Sequence, residues 1–470
     1  MAIKRIFLFI TILLLLCGTA FSGNTKEDSR LAQLARDIMP TVEQLRGLAY
    51  DHEVPVGVYT QEQIREMMLA DLESQEEELR NTQAALVKMG LCSPDVDIYE
   101  SMVSMYETGI AGFYNPQNEE LNLVEMELSP MLIIQDLIMR ATLGHSQEEM
   151  VMAHELTHAL DDQHFDLLNT VDAGQSDSDT YQAWKCLVEG TAGSVQYDFL
   201  YNNQGILSYE NPMVLGMTQQ TMGSNMLSGG ESAIPNFLVK QLTLHYGMGM
   251  TFVLELRREN DGSWDQVNAA FSDLPASTEQ ILHPEKYMAE ERDMPVVFEL
   301  PNIPEMLPGD WNVLMGDVMG EYGFLCMLEE VFAGRRSAQQ IATQASEGWG
   351  GDRYAVYQDD KNPEIASLVW ATSWDTEEDA IEFFRVYKVV LRQKYEEVPE
   401  SESTTSYEFN DTKETTCMLV REGTEVFILE TIPNSVVEEV KDTLMGLEHQ
   451  EWQTPAEGNI PRENEETEDD

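Results

Sequence analysis

The sequence predicts an α+β protein that is rich in helix. Three observations favour this class. Apolar residues recur at helical spacing through much of the first half of the 470-residue chain. Two short β-prone runs flank a turn before residue 126, as expected of a β-hairpin. Beyond about residue 350 strand-like and helical runs alternate, which indicates a separate, smaller α+β unit.

The first 22 residues are typical of a secretory signal peptide. Lys4 and Arg5 precede an apolar run over residues 6–16, and small residues lead to a cleavage site after Ser22. The run is shorter than the roughly 20 residues that span a bilayer, so we expect a secreted or periplasmic protein without a transmembrane anchor in its mature chain. A lipoprotein modified at Cys17 is the less favoured alternative, because no small residue precedes that cysteine.

Residues 23–95 form the predicted N-terminal helical region. A helical stripe runs from Ser29 to Leu48, and Pro40 is expected to kink or divide it. Thr60 and Gln63 have the spacing of a capping box, which marks the start of the next helix.

A β-hairpin and two helices are predicted in the middle of the chain. The runs Ile110–Tyr114 and Leu121–Glu125 flank a turn and form the hairpin. Ser146 and Glu149 make a capping box that opens an amphipathic helix. A further helix is expected over Tyr181–Tyr201.

The C-terminal part contains strands, a hairpin and helices of its own. The expected elements are two strands, a helix, a hairpin and a last helix, over residues 354–357, 367–373, 377–392, 417–431 and 435–447. The end of the chain is acidic and poor in apolar residues, which predicts a disordered tail. The expected organisation is therefore a signal peptide, a helical region, a large core, a small α+β unit and a tail, at residues 1–22, 23–95, 96–345, 346–455 and 456–470.

Charge excludes one broad class of function. Against 84 Asp and Glu stand 28 Lys and Arg, a formal net charge of −56. Such a field repels polyanions, so we expect no nucleic-acid partner. The cysteines after residue 22 are widely spaced without a Cys-x-x-Cys pair, so any disulfide pairing stays open.

The segment His154-Glu155-Leu156-Thr157-His158 is an H-E-x-x-H motif within the predicted capped helix. Residues four apart lie on one helix face, so both imidazoles can bind one metal ion. Two neutral imidazoles and an open position suit Zn²⁺, and Glu155 beside it can take a proton from water. The motif predicts metal-assisted hydrolysis of an amide.

Two residues compete for the place of the third ligand. His164 has the spacing of a metzincin ligand, but Asp161 stands where that pattern has the glycine that turns the chain. Glu189, on the next predicted helix, could complete a His₂Glu site without a special turn. Glu189 is favoured, and His164 remains the alternative.

The H-E-x-x-H motif at 154–158, followed by E-G-x-A at 189–192, resembles the gluzincin clan of zinc metallopeptidases. Longer phrases at 153–165, 277–287 and 348–354 are similar to a group of secreted bacterial proteins of this peptidase type. The resemblance implies a zincin-like, helix-rich catalytic core with a β-hairpin before the active-site helix. It also implies one Zn²⁺ per chain, with His154, His158 and Glu189 as ligands and Glu155 as general base.

Other roles are less directly indicated. His283 is the candidate to stabilise the oxyanion, since an imidazole can donate there, although a surface histidine at a helix end is the alternative. Asp161 or Asp162 is expected to orient a ligand imidazole. Either hairpin strand could serve as the edge that binds an extended substrate, or the hairpin could be purely structural.

Together these residues predict a secreted zinc-dependent endopeptidase with a peptide or protein substrate. A catalytically silent, zinc-stabilised binding or scaffold protein of the same fold stays open, although the presence of Glu155 argues against it. A metal-dependent amidase acting on a non-peptide or cell-wall substrate is the third possibility.

Overall fold

The computed structural model describes residues 30–107, 112–125, 130–174, 177–211, 235–396 and 401–453. The fold is mixed α and β, with many helices and a large antiparallel sheet, as the sequence predicts. The predicted signal peptide, the Met-rich part of the segment after residue 211 and the acidic tail lie outside the described residues. Within the described ranges, no helix is both long enough and apolar enough to cross a membrane.

The helices of the N-terminal and middle parts are α1 Arg30–Arg46, α2 Gln61–Ser74, α3 Glu76–Met89, α4 Ile98–Glu107, α5 Pro130–Leu143, α6 Gln147–Phe165, α7 Leu167–Gly174, α8 Ser178–Tyr201, α9 Asn236–Leu244, α10 Met250–Glu259 and α11 Asp265–Ala270. Those that follow are α12 Thr278–Leu282, α13 Pro284–Met288, α14 Ile303–Met306, α15 Gly320–Val331, α16 Ala338–Ser346, α17 Glu377–Tyr395 and α18 Val437–Met445. The strands are β1 Val56–Thr60, β2 Gly112–Asn115, β3 Glu120–Glu125, β4 Val296–Val297, β5 Trp311–Asp317, β6 Trp349–Asp359, β7 Ala366–Trp374, β8 Ser401–Glu402, β9 Ser406–Asn410, β10 Thr415–Glu422, β11 Glu425–Pro433 and β12 Gln450–Glu451.

The predicted hairpin is present as β2 and β3, paired antiparallel from Gly112↔Leu123 to Asn115↔Glu120. On its other side β3 pairs in parallel with β1, so the strand order is β1-β3-β2. The strand over Leu121–Glu125 is therefore central, and the expectation that it could be a substrate edge is wrong. The hairpin strand that lies at the edge of the sheet is β2.

A seven-stranded sheet dominates the C-terminal part, in the order β5-β6-β7-β11-β10-β9-β8. The predicted strands, hairpin and helices after residue 350 are all present in it or packed against it. The sheet also takes β5 from before residue 346, the expected start of this unit. The division at that residue stays a prediction, and the sheet itself reaches further toward the N-terminus.

Both predicted capping boxes form. The Thr60 side chain accepts from the Gln63 backbone at the start of α2, and Ser146 accepts from Glu149 at the start of α6. In α1, Pro40 lies inside a single helix, so the expected division at this residue does not occur.

Two hydrophobic clusters hold the middle of the molecule. In one, the apolar face of α1 packs on α6 and β3, with Leu31, Ala35, Leu156, Leu160 and Leu123 among its buried members. In the other, α8 packs against α10 and α11. Helix α6 therefore packs against both α1 and α8, and these contacts fix the face that it turns to α8.

Candidate metal centre

The two imidazoles of the motif lie on the face of α6 that contacts α8. His154 and His158 are one helical turn apart, and both are buried. Glu189 is buried near the middle of α8. The packing of these two helices therefore brings the three side chains together.

The ligand atoms of the three residues form a small triangle. His154 Nε2 lies 3.1 Å from Glu189 Oε2 and 3.1 Å from His158 Nε2, and His158 Nε2 lies 3.6 Å from Glu189 Oε2. Side-chain exposure is 10% for His154 and 3% for both His158 and Glu189. The group is thus enclosed, and His154 is its most accessible member.

This arrangement fits a zinc ion. Metal–ligand bonds of about 2.1 Å at tetrahedral angles place ligand atoms roughly 3.4 Å apart, close to the separations of the triangle. When each neutral ring carries its proton on Nδ1, two Nε2 lone pairs and a carboxylate oxygen face one point. A cation at that point would stabilise this convergence of electron-rich atoms.

The three groups perturb one another's pKa values. Burial alone would raise the pKa of Glu189, but hydrogen bonds and charge from His154 and His158 hold it well below its ordinary value. Burial would lower the pKa of His158, but the hydrogen bond with Glu189 outweighs burial and raises this pKa. The carboxylate is therefore held in the ionised form that coordinates metals.

Glu155, the predicted general base, is bound by the hairpin. The backbone N–H of Tyr114 on β2 donates to Glu155 Oε2 over 2.9 Å. Burial raises the pKa of Glu155, while the nearby histidines and the Tyr114 N–H oppose the rise. A carboxylate with a raised pKa is a stronger base, as proton abstraction from water requires.

The expected aspartate partners of the imidazoles are not found. Nδ1 of both His154 and His158 is buried without a hydrogen-bond partner among the described residues. Asp161 instead accepts from Arg46 Nε over 2.8 Å, and Asp162 accepts from the Tyr114 hydroxyl over 2.7 Å. These aspartates tie α6 to α1 and to β2, so the prediction that either orients a ligand imidazole through Nδ1 is wrong.

His164, the alternative third ligand, points elsewhere. It is exposed at the end of α6, and its Nε2 lies 2.8 Å from the carbonyl oxygen of Ala49. Its ring also lies beside Phe165. Since α6 stays helical through Asp161, the chain does not make the turn that would bring His164 back to His154 and His158.

His283 joins the short helices α12 and α13. Its Nε2 lies 3.0 Å from Glu321 Oε1 on α15, and this bond raises the pKa of the imidazole. Within the described residues, no hydrogen bond, ion pair or ring contact joins His283 to the metal-site triangle. Its oxyanion role stays a prediction, and its observed contacts are structural.

Tyr246 is a site residue that sequence reasoning missed. It lies in a turn of π-helix, His245–Gly249, between α9 and α10. Its ring centroid is 6.4 Å from that of His154. Burial raises the pKa of its phenol well above the ordinary value, and the Glu189 and Glu155 carboxylates raise it further. The phenol therefore stays protonated, and its hydroxyl can donate a hydrogen bond.

Glycines let the π-turn approach α8. A Cβ on Gly190 would come within 2.2 Å of the Gly249 carbonyl oxygen, and a Cβ on Gly249 within 2.4 Å of the Cys186 carbonyl oxygen. The residue after Glu189 is thus glycine because the π-turn touches the helix there. The π-turn leaves no sequence pattern of its own; the glycines that follow Tyr246 are the signal that could have indicated a close backbone contact there.

The phrase at 277–287 anchors α8 and contributes no ligand atom to the candidate metal site. Thr278 donates to Asp179, in the first turn of α8, over 2.5 Å. Further along, Lys286 lies within 2.6–2.9 Å of carboxylates that otherwise resemble a second metal group, namely Glu279, Asp293 and Asp375. The ammonium group of Lys286 already supplies the positive charge of this cluster.

The phrase at 348–354 has a structural role too. Asp352 accepts hydrogen bonds from the indoles of Trp349 and Trp370 and from the backbone N–H groups of Met319 and Gly320. Most of this phrase forms the beginning of β6. Asp352 joins that strand to the start of α15.

Comparisons with known proteins add little about the metal centre. A family model described as a domain of unknown function, DUF8575, matches residues 312–441, which do not include the motif helices. Curated proteins give no match. A crystal structure described as "a putative hydrolase with a novel fold", from Chloroflexus aurantiacus, is 17% identical, with 61% of this chain and 95% of that chain covered and a TM-score of 0.33.

Proposed function

We propose that the protein is a zinc-dependent endopeptidase that binds one Zn²⁺ through His154, His158 and Glu189. The observation that supports this proposal most directly is the convergence of three ligand atoms within 3.1–3.6 Å on packed helices. Glu155, next to His154, supports hydrolysis in particular, because a purely structural zinc site needs no carboxylate beside an open position.

Each residue of the site has its own role in the proposed hydrolysis. Zn²⁺, when bound, would lower the pKa of a coordinated water and polarise a substrate carbonyl. Glu155 accepts the proton of the attacking water and passes it to the leaving amine. The Tyr114 N–H holds this carboxylate in place. The Tyr246 phenol donates a hydrogen bond to the oxygen that becomes negative, a role assigned to it in preference to His283.

The first test separates metal binding from hydrolysis. Purified protein is expected to hold about one Zn²⁺ per chain by elemental analysis. Glu155→Gln should keep the metal and lower peptide hydrolysis by about 10²–10⁴-fold, the usual contribution of a general base. As a control, His164→Ala should retain both metal and activity, because His164 bonds to Ala49 outside the site.

A peptide-library digest with and without chelator distinguishes the remaining alternatives. If the protein binds metal but cleaves no peptide in a chelator-sensitive way, the catalytically silent scaffold is favoured. If it cleaves cell-wall material instead, the amidase is favoured. Full hydrolytic activity in Glu155→Gln would remove this residue from the mechanism.

A further inference from the structure

A cavity lies between helix α3 and one end of the seven-stranded sheet. Its volume is about 650 Å³, within the range of roughly 300–1,000 Å³ that is usual for the binding sites of small molecules. Its walls come from α3, from the turns between β6 and β7 and between β9 and β10, and from β11. The residues that line it, all within the described ranges, include neither Glu155 nor a candidate metal ligand. The cavity is therefore separate from the candidate metal centre.

A largely buried lysine on α3 lines this cavity. Lys88 Nζ donates to Thr431 Oγ1 over 2.6 Å and to the Tyr395 hydroxyl over 3.0 Å. An ammonium group has three donors, so the hydrogen bonds of the described residues leave one N–H of Lys88 for a bound molecule. Burial lowers the pKa of this group to about 8, and Lys394 adds to the shift. The lysine is therefore still mostly charged at pH 7.

A carboxylate that also lines the cavity lies close to this ammonium group. The Thr431 hydroxyl, which accepts from Lys88, donates to Asp411 Oδ2 over 2.6 Å. The ammonium nitrogen and the carboxylate oxygen are thus separated by a single hydroxyl oxygen. A positive and a negative group are held side by side at the cavity wall.

A β-bulge positions the Thr431 hydroxyl. In the β10–β11 pair, two residues of β11, Glu430 and Thr431, lie opposite Cys417 alone. Thr431 has a φ of +59°, in the left-handed region that β-branched residues rarely adopt. Bulges are over-represented next to active sites, where they change the direction of a side chain, and strained backbone of this kind occurs at sites that bind ligands. The bulge therefore supports a binding role for the cavity.

Much of the remaining wall is aliphatic. Half-buried side chains from α3 and from the turn into β7 form this part of the wall, namely Ala84, Val87, Ile365 and Ala366. Two exposed lining residues, Arg80 and Glu364, carry opposite charges. The cavity thus combines an apolar wall with charged groups of both signs.

We propose that this cavity binds a free α-amino acid with an apolar side chain. The ligand carboxylate would accept from Lys88, its ammonium group would donate to Asp411, and its side chain would lie against the aliphatic wall. One carbon separates the two charged groups of an α-amino acid, which suits a lysine and an aspartate joined by one hydroxyl. Asp411 and Glu364 oppose a simple anion, and Lys88 and Arg80 oppose a simple cation. Binding here does not depend on hydrolysis at the metal centre.

Calorimetric titration of the full chain with leucine and three analogues tests the chemistry of the ligand. N-acetyl-leucine lacks the ammonium group, leucinamide lacks the carboxylate, and glycine lacks the apolar side chain. We expect leucine to bind with a Kd of about 1 mM or below. Each analogue should bind at least about tenfold more weakly, because it loses a charge-assisted hydrogen bond or the apolar contact. Equal binding of leucine and any one analogue, or no binding at about 10 mM leucine, overturns the proposal.

Two tryptophan variants locate the binding. Ala84→Trp fills the cavity from α3 without removing a polar partner, and Glu77→Trp places the same side chain at an exposed position of the same helix, outside the cavity. Ala84→Trp should lower the affinity for leucine by about tenfold or more, whereas Glu77→Trp should bind like the wild type. Circular dichroism checks that both variants are folded. A folded Ala84→Trp that binds leucine normally would show that the amino acid binds elsewhere.

A charge variant gives a test that holds even if the tryptophan variant does not fold. Asp411→Asn keeps the shape of the side chain and removes its charge. It should weaken leucine binding by about tenfold but not the binding of N-acetyl-leucine, which has no ammonium group. His154→Ala, at the metal centre, should bind leucine like the wild type. The proposal is overturned if Asp411→Asn binds leucine normally or if His154→Ala abolishes binding.

Discussion

Tyr246 shows how one residue could complete the site. Its ring lies near His154, and its phenol is kept protonated by burial and by two carboxylates. A neutral phenol next to a candidate metal ligand can donate to a developing negative charge, which an anionic or distant group cannot do. A donor of this kind contributes to the transition state more than to the bound substrate.

Tyr246→Phe removes that donor and keeps the ring. We expect kcat to fall by about 10²–10³-fold, as for loss of one oxyanion donor, with zinc content and KM near wild type. Steady-state kinetics measures kcat and KM, and elemental analysis measures the zinc content. Tyr197→Phe on α8, which packs against Met250 and Leu254 of α10, is the control and should change little. An unchanged kcat in Tyr246→Phe would return the oxyanion role to His283 or another group.

Sequence patterns reveal site residues when helical spacing or a recognisable motif marks them. His154 and His158 are found because one helical turn separates them, and Glu189 because a second helix can present a carboxylate without a special turn. Tyr246 follows no such spacing and reaches the site through the packing of another helix. The partners of Asp161 and Asp162 are likewise distant in sequence, at Arg46 and Tyr114, which is why their assignment as imidazole partners was wrong.

At the scale of elements, the contact between α8 and the π-turn positions both Glu189 and Tyr246. Gly190 and Gly249 remove the side chains that would separate the two backbones. The glycine of the E-G-x-A motif thus has a packing explanation in this fold. Its effect on catalysis would be indirect, through the placement of Tyr246.

Gly190→Ala tests this contact. The new Cβ would lie 2.2 Å from the Gly249 carbonyl oxygen, so the π-turn must move. We expect a loss of about 1–3 kcal/mol in unfolding free energy, the usual cost of overpacking, together with reduced hydrolysis. Gly193→Ala, one turn later, is the matched control, because its Cβ would meet Met250 Sδ at an ordinary 3.7 Å. Equal behaviour of the two variants in urea unfolding and peptide hydrolysis would rule out the packing role of Gly190.

Elements with local start signals were predicted well, and elements that depend on distant partners were not. The capping boxes of α2 and α6 and the turn between β2 and β3 are encoded by neighbouring residues. Strand β1 has five residues and pairs in parallel with β3 more than fifty residues away, so no local pattern marks it. Helix α5 is apolar around much of its circumference and therefore lacks the stripe that identifies a helix packed on a core.

At the scale of the whole molecule, the N-terminal helices and the C-terminal sheet share one hydrophobic core. Met68 and Leu86, from α2 and α3, belong to the same buried cluster as Trp370 and Phe383, from β7 and α17. Sequence reasoning assigned these residues to separate regions because composition changes along the chain. Composition does not show which distant segments bury their apolar faces against each other.

A buried polar network crosses the same junction. Lys88 on α3 donates to Thr431 Oγ1 over 2.6 Å and to the Tyr395 hydroxyl over 3.0 Å. The Tyr395 hydroxyl in turn donates to Glu430 on β11 over 2.7 Å, and Lys394 also pairs with this carboxylate. Glu430 is fully buried, so its charge is stable only while these partners surround it.

Glu430→Gln should therefore destabilise the whole protein in a pH-dependent way. Burial alone would raise the pKa of Glu430, but Lys394 and Lys88 outweigh it and lower the pKa below the ordinary 4.5. Above pH 4.5 the carboxylate is ionised in both folded and unfolded chains, and its stabilising effect is complete. As the pH falls from there through the folded-state pKa, the unfolded chain binds the proton first, and the effect is lost.

For Glu430→Gln we expect urea unfolding to show a loss of about 3 kcal/mol in unfolding free energy at pH 7. This is the lower end of the range for breaking a buried pair, because Lys394 is 16% exposed. The loss should shrink below pH 4.5, whereas Glu438→Gln, which removes an exposed pair with Lys441, should have little effect at either pH. A loss for Glu430→Gln that is the same at pH 7 and well below pH 4.5 would mean that shape rather than charge joins the N-terminal helices to the sheet.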